Sequence, residues 1–365
     1  MNHWEYDDNK IEAKELTITV SSMIIGVGIL TLPRVLAGTT SSSDGWISIL
    51  MAGAFAVTIA VLLGKFAGLY AGGTFFEYVR SLVTKPVAIV ITGIMCVYFM
   101  LFLAYEIRAI ANISKTYLFD RTPAEYIGLM FLLIVGYAAS GTRIGLLRLN
   151  TMFFPIVLVV TFLLLFFSNS IVNWADLKPF FVTDVKRLMV GAKDSVFSML
   201  GFEVILFYTA MMKRPKEAPL AAAVGVVIPV VLYVLIYLIC IGTFTPWALQ
   251  EIGYPAIELA KEVKIPGEFF ERTESIFFTI WIMTIFNTAS MALDIAVHLA
   301  HSIVRKGKRI HFVAAICPVA YLICMLPKNV IEFALLGEVI SYMGFLTIGM
   351  TLCLYGVAAV KGMIK

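Results

Sequence analysis

Ser21-Ser22-Met23-Ile24-Ile25-Gly26-Val27-Gly28-Ile29-Leu30-Thr31-Leu32-Pro33 decides how the rest of the chain is read. The stretch is apolar enough for the membrane interior, yet it carries two glycines, which weaken a helix. In lipid every backbone N–H and C=O must be satisfied within the protein. Irregular backbone therefore survives at that depth only where it is buried in protein or lines a cavity. The segment reads as a membrane span broken near Gly26, with the break facing a cavity.

Composition sets the class. The chain is 60% hydrophobic and 14% charged, and its apolar runs recur at about the 20 residues a helix needs to cross the hydrocarbon core. Ten spans are expected, at about 13–37, 45–70, 86–113, 123–140, 146–168, 188–211, 218–244, 271–301, 310–326 and 335–360. Residues 1–365 thus form a single all-α transmembrane domain. The longest polar connection, about 245–272, is too short for its own core and reads as a capping loop with a short amphipathic helix. Thr74–Val83 mixes Phe75, Phe76, Tyr78 and Val79 with Glu77 and Arg80, the pattern of an interfacial helix.

Several classes are disfavoured. Met1–Lys10 lacks the basic start and apolar core of a cleavable signal peptide. The five cysteines all fall in apolar stretches, with no ligand-like spacing, so neither disulfides nor a metal site is expected. No nucleophile–base constellation, phosphate loop or nucleotide motif is present. An enzyme is not expected, and neither a cofactor nor a nucleic-acid partner is implied.

An even number of spans puts both termini on one side. Loops on that side carry Arg80, Lys85, Arg143, Arg148, Lys213, Arg214, Lys216, Arg305, Lys306, Lys308 and Arg309, whereas the connection after the first span has no Lys or Arg. By the positive-inside rule both termini are cytoplasmic.

A second break mirrors the first. Ser198-Met199-Leu200-Gly201-Phe202-Glu203 lies at the middle of the sixth expected span, a small-residue cluster ending in a carboxylate. The plainer use of such glycines is close helix packing. Matching positions in the first and sixth spans, together with the adjacent acid, favour paired breaks in a five-plus-five inverted repeat, about 13–168 and 188–360.

Such breaks supply specific chemistry. A half-helix restarting at about Gly28 offers free N–H groups and a positive dipole end, which suit a carboxylate. Stranded carbonyls of Ile24, Ile25 and Ser198 to Leu200, next to Gly201, suit an ammonium. Together they match an amino acid backbone, although sugars and other small polar ligands could use the same groups.

Ionisable residues at membrane depth are functional candidates by default: Glu106, Arg108, Lys193, Asp194, Glu203 and Asp294. Glu106 and Arg108, two apart, do not face one another on a helix and read as members of structural ion pairs with separate partners. Lys193 and Asp194 either line an outer vestibule or snorkel. Glu203, directly after the break, has two roles open to it: coupling, or holding the loose N–H groups of the unwound segment. The eighth span carries Thr284, Thr288 and Met291 on one face and Ser290, Asp294 and His298 on another. One polar stripe could face the cavity while the other serves interhelical hydrogen bonding.

With these residues in view, the chain resembles the amino acid–polyamine–organocation transporter superfamily and, within it, the B subunits of bacterial endospore germinant receptors. The resemblance rests on Gly26–Arg34, Asp44-Gly45-Trp46, Glu106-Ile107-Arg108, Leu200-Gly201-Phe202-Glu203 and Glu271–Ser275. It implies a leucine-transporter-like fold of ten helices, broken in helices 1 and 6. It also implies a nutrient ligand, a membrane A subunit and a lipoprotein C subunit as partners, and residence in the spore inner membrane. By the same analogy Gly26, Phe102, Leu200, Thr288 and Ala292 line the pocket. A small Ala292 stands where some relatives have a bulkier residue, and the Lys193-Asp194 pair is added. The expectation is a nutrient-sensing subunit. The alternatives are a proton- or cation-coupled amino acid transporter and a structural subunit with a vestigial pocket.

Overall fold

The computed structural model describes residues 10–70, 72–119, 121–263 and 273–362, the side chains of 273–276 excepted. The Glu271–Ser275 motif falls outside the described side chains. Every regular element is helical among the described residues.

The first span is two helices, α1 (Ala13–Ile24) and α2 (Gly28–Thr40), bent by 51° at the break. There follow α3 (Gly45–Gly68), the short α4 (Phe75–Leu82), α5 (Lys85–Tyr117), α6 (Ala124–Ser140) and α7 (Arg143–Ser168). The second break separates α8 (Val185–Ser198) from a 3-10 turn at Phe202–Val204, the single turn α9 (Ile205–Tyr208) and a further 3-10 turn at Thr209–Met211. The rest of the chain forms α10 (Ala218–Glu251), α11 (Pro255–Glu262), α12 (Thr273–Val304), α13 (Arg309–Met325) and α14 (Val330–Val360).

Six helices are long and apolar enough to cross a membrane among the described residues, and a seventh span is gained if the bent α1–α2 pair is counted as one. α6, α13 and Phe202–Met211 are shorter apolar helices. The chain is an integral membrane protein. Local chemistry explains the ends. Thr74 caps α4 reciprocally with Glu77, a capping box. α10 carries non-helical backbone at Thr245, immediately before Pro246, because a proline ring disfavours helical geometry in the residue ahead of it. α11 lies in the long polar connection, where the short amphipathic helix is expected.

Two groups of helices meet at the breaks. α10 packs on α3, α1 and α2, and α8 packs on α3 and α2; α12, the most enclosed long helix, packs on α5, α7, α6 and α13. α1 touches both groups. Backbone bonds from Ile11 N–H to Met211 O and from Lys213 N–H to Ile11 O, 2.8 and 2.9 Å, join the start of α1 to the end of the second broken segment.

Candidate functional site

The first break is a turn of defined geometry. Ile25 sits at φ −77°, ψ 59°, close to an inverse γ-turn, and the Gly26 N–H donates to Ile24 O at 2.8 Å. α2 then restarts at Gly28 with no side-chain cap on its first turn. In the second break Gly201 adopts φ +114°, a region side chains avoid. Its N–H donates to Glu203 Oε2 at 2.7 Å, and the Tyr98 hydroxyl donates to Oε1 at 3.5 Å. Glu203 thus holds the backbone of the unwound segment.

The two breaks are pressed together. A Cβ on Gly28 would lie 2.9 Å from Ser198 O, and one on Gly201 would lie 2.8 Å from Met23 Cγ. Tyr233, from α10, ties them: its hydroxyl lies 2.8 Å from Ile24 O and 2.9 Å from Ser198 O. One hydroxyl proton therefore serves two carbonyls.

A cavity of about 30 Å³ lies at this junction, room for about two water-sized spheres. The first break contributes Met23, Ile24, Gly26, Val27 and Gly28; α5 contributes Phe102, Tyr105 and Glu106; the second break contributes Phe197, Ser198 and Leu200; and Ile340 closes it from α14. The structure thus gathers Gly26, Gly28, Phe102, Ser198, Leu200 and Glu106 around one cavity. Ile25, Gly201, Thr288 and Ala292 are buried but do not line it. The Thr288 hydroxyl donates to Ser22 O at 3.3 Å and Thr284 O at 3.1 Å, which turns it toward the backbone behind the break.

Glu106 is 2% exposed. Its Oε1 would lie 2.9 Å from a Cβ on Gly26, the Val27 N–H approaches the carboxylate, and Oε2 has no hydrogen-bond partner. No ion pair to Glu106 or Arg108 forms among the described residues. The Asp194 carboxylate accepts from the Thr39 hydroxyl at 3.3 Å.

Asp294 lies in a separate cluster. Arg143, at the start of α7, donates through Nε to Oδ2 at 3.0 Å; Arg309, at the start of α13, donates to Oδ1; and the Tyr208 hydroxyl donates to Oδ2 at 2.9 Å. Arg143 also lies over the Tyr208 ring, and its Nη1 is 3.5 Å from His298 Nδ1. No group of three or more His, Cys, Asp or Glu side chains is arranged to hold a metal among the described residues.

Tyr233, Tyr105, Phe197 and Ile340 escape a reading of the sequence. Tyr233 is a hydroxyl in an apolar run, and nothing local says which carbonyls it meets. Tyr105 is set by a tertiary contact, stacking on Phe333 with ring centroids 4.6 Å apart.

The fold is shared with solved structures, one of them of a transporter. It superimposes on MhsT in complex with L-phenylalanine with a TM-score of 0.72 at 14% identity, covering 95% of this chain and 89% of that one. It superimposes on Mhp1, a nucleobase-cation-symport-1 family transporter, with a TM-score of 0.64 at 14% identity, covering 94% and 78%. The profile of the spore germination protein family matches residues 10–333. The chain is 39% identical to spore germination protein GerLB of Bacillus cereus over 94% of its length and 92% of the relative's. It is 30% identical to spore germination protein YndE of Bacillus subtilis over 93% and 94%. The chain belongs to the spore germination protein family, among the permease-like B subunits of germinant receptors.

Proposed function

We propose that this chain is the nutrient-sensing subunit of a germinant receptor, binding an amino acid or similar small metabolite between its two breaks. It crosses the spore inner membrane ten times as two inverted repeats, about 13–168 and 188–360, with both termini cytoplasmic. It works beside a membrane A subunit and a lipoprotein C subunit, and catalyses no reaction. The observation that carries the reading is the cavity where the breaks touch: unwound backbone, one hydroxyl shared by two carbonyls, and an acid at its edge. Irregular backbone at depth is tolerated where it meets a ligand. The amino acid in the MhsT complex points the same way.

A second reading, a proton- or cation-coupled amino acid carrier, draws on the same acids, Glu106 and Glu203, and on the transporter fold. Sensor and carrier share a pocket and differ in whether the conformational cycle completes. The test is to reconstitute the purified chain and measure binding and uptake of labelled amino acids together. Sensing predicts saturable binding, lost in Gly26→Leu with folded protein retained, and no accumulation. Accumulation driven by a proton or cation gradient would establish the carrier. Undiminished binding in Gly26→Leu would move the site elsewhere.

A further inference from the structure

We infer that the cavity between the breaks is a primary-ammonium site, with Glu106 taking the ligand's cation. The inference rests on the reading that this cavity is where the ligand binds. Glu106 is a wall residue, and its Oε2 is sealed from water without a donor. A buried carboxylate oxygen is left so only at a cost, which a cationic donor removes.

The neighbouring groups select the sign of the charge. The uncapped start of α2 invites an anion, but that position is taken by the chain itself, because the Glu106 carboxylate faces the Val27 N–H. A ligand carboxylate placed there would have to compete with Glu106 for the same N–H. Acceptors, in contrast, are in surplus. Ile24 O already takes the Gly26 N–H and shares the Tyr233 hydroxyl proton with Ser198 O. Ser198 O thus has room for another donor.

An ammonium brings three donors, which Glu106 Oε2 and Ser198 O are placed to accept. Phe102 and Phe197, which also line the cavity, suit the cation's flank and the first carbons of the ligand. A bare metal ion fits less well, since hard cations gather six or more oxygens and most of this wall is carbon. The same geometry gives Gly26 its reason, because a side chain there would displace the Glu106 carboxylate.

The experiment is a thermal-shift and calorimetric panel on the purified full chain in detergent. The probes are alanine, valine, leucine and phenylalanine, each beside its decarboxylated amine and its deaminated acid, with glucose, NaCl and KCl as further arms. The expected result is that at least one amino acid and its amine bind, while the matching acid binds at least tenfold more weakly. Glu106→Gln should lose both at least tenfold without lowering the unfolding temperature of the unliganded protein. The amine–acid comparison on the wild-type chain needs no variant, so it decides the matter even if Glu106→Gln fails to fold.

Acid binding as tight as amine binding, or undiminished amine binding by Glu106→Gln, overturns the inference. Glucose or acid binding that Gly26→Leu abolishes would keep the pocket and reject the ammonium. A Na⁺ or K⁺ effect lost in Glu106→Gln, without amine binding, would make this a metal-ion site instead. No binding by any probe would reject both the inference and the pocket.

Discussion

Asp294 and Glu106 are both carboxylates sealed among helices, but Asp294 accepts from two arginines and a tyrosine whereas Glu106 keeps one oxygen without a donor. The Asp294 cluster ties α12 to the starts of α7 and α13 and, through Tyr208, to the second broken segment. Both oxygens of its carboxylate are taken by donors of the chain itself, so it serves as a structural joint. Glu106 borders a cavity and keeps one oxygen unmatched, which is the position proposed above for a ligand's ammonium. Among buried acids in a membrane protein, the account of donors separates the brace from the binding group better than burial or charge does.

The largest effect that tests this contrast is expected at the joint. Asp294→Ala leaves the partly buried Arg143 and Arg309 without their counter-charge, and breaking a buried pair costs up to about 3–5 kcal/mol. Thermal unfolding in detergent and the yield of folded protein should both fall steeply, while Glu106→Gln leaves them nearly unchanged. Equal loss in the two variants would erase the distinction.

Next comes the contact between the breaks. Gly201→Ala combines a strained positive φ with a clash on Met23, and about 1–3 kcal/mol of destabilisation is expected. Gly72, at φ +100° with nothing within 4 Å of a Cβ, isolates the strain alone. Gly72→Ala should therefore cost measurably less in the same unfolding assay. Matching losses would mean that Met23 yields freely and the breaks are not tightly joined.

Tyr233→Phe probes the tie from α10. Losing the hydroxyl leaves the Ser198 carbonyl without its donor, at about 1–3 kcal/mol. A change within assay error would remove Tyr233 from the site. Glu203 offers the companion test: Glu203→Gln keeps an acceptor for the Gly201 N–H and should remain close to wild type in stability, whereas Glu203→Ala should not.

The smallest effect involves a third acid, outside the membrane-spanning helices. Asp44 accepts backbone N–H bonds from Phe181, Val182 and Thr183 at 2.6, 2.8 and 2.9 Å. Burial pushes its carboxyl up, but these bonds outweigh it and hold it below the usual range. A lowered folded value stabilises the protein above the unfolded value, about 3.9, and the gain disappears as pH falls through the folded one. Unfolding temperature should thus drop below about pH 4 in the wild type, with the Asp44 share of that drop missing in Asp44→Asn. Identical acid profiles would show that the loop is not held by this charge.

Much of this molecule was local information. Lipid demands long apolar runs and closed backbone hydrogen bonding, so membrane class and the main helices can be read from run length and breakers. The breaks at Gly26 and at Ser198–Glu203 were legible because the two glycine-bearing stretches fall at matching positions of the first and sixth expected spans, the second beside an acid. Pro246 likewise marks where the regular part of α10 stops. Only the tertiary structure decided which polar groups meet. Arg143 and Arg309 read along the chain as loop charges that set orientation, yet folding delivers both to Asp294, 151 and 15 residues away. Tyr233 reaches Ile24 across 209 residues. Glu106, read as half of an ion pair, was left with a free oxygen at the cavity. Hydrogen-bond partners are chosen by how helices pack, and that packing depends on the whole chain at once, so a neighbourhood of ten or twenty residues contains no trace of it.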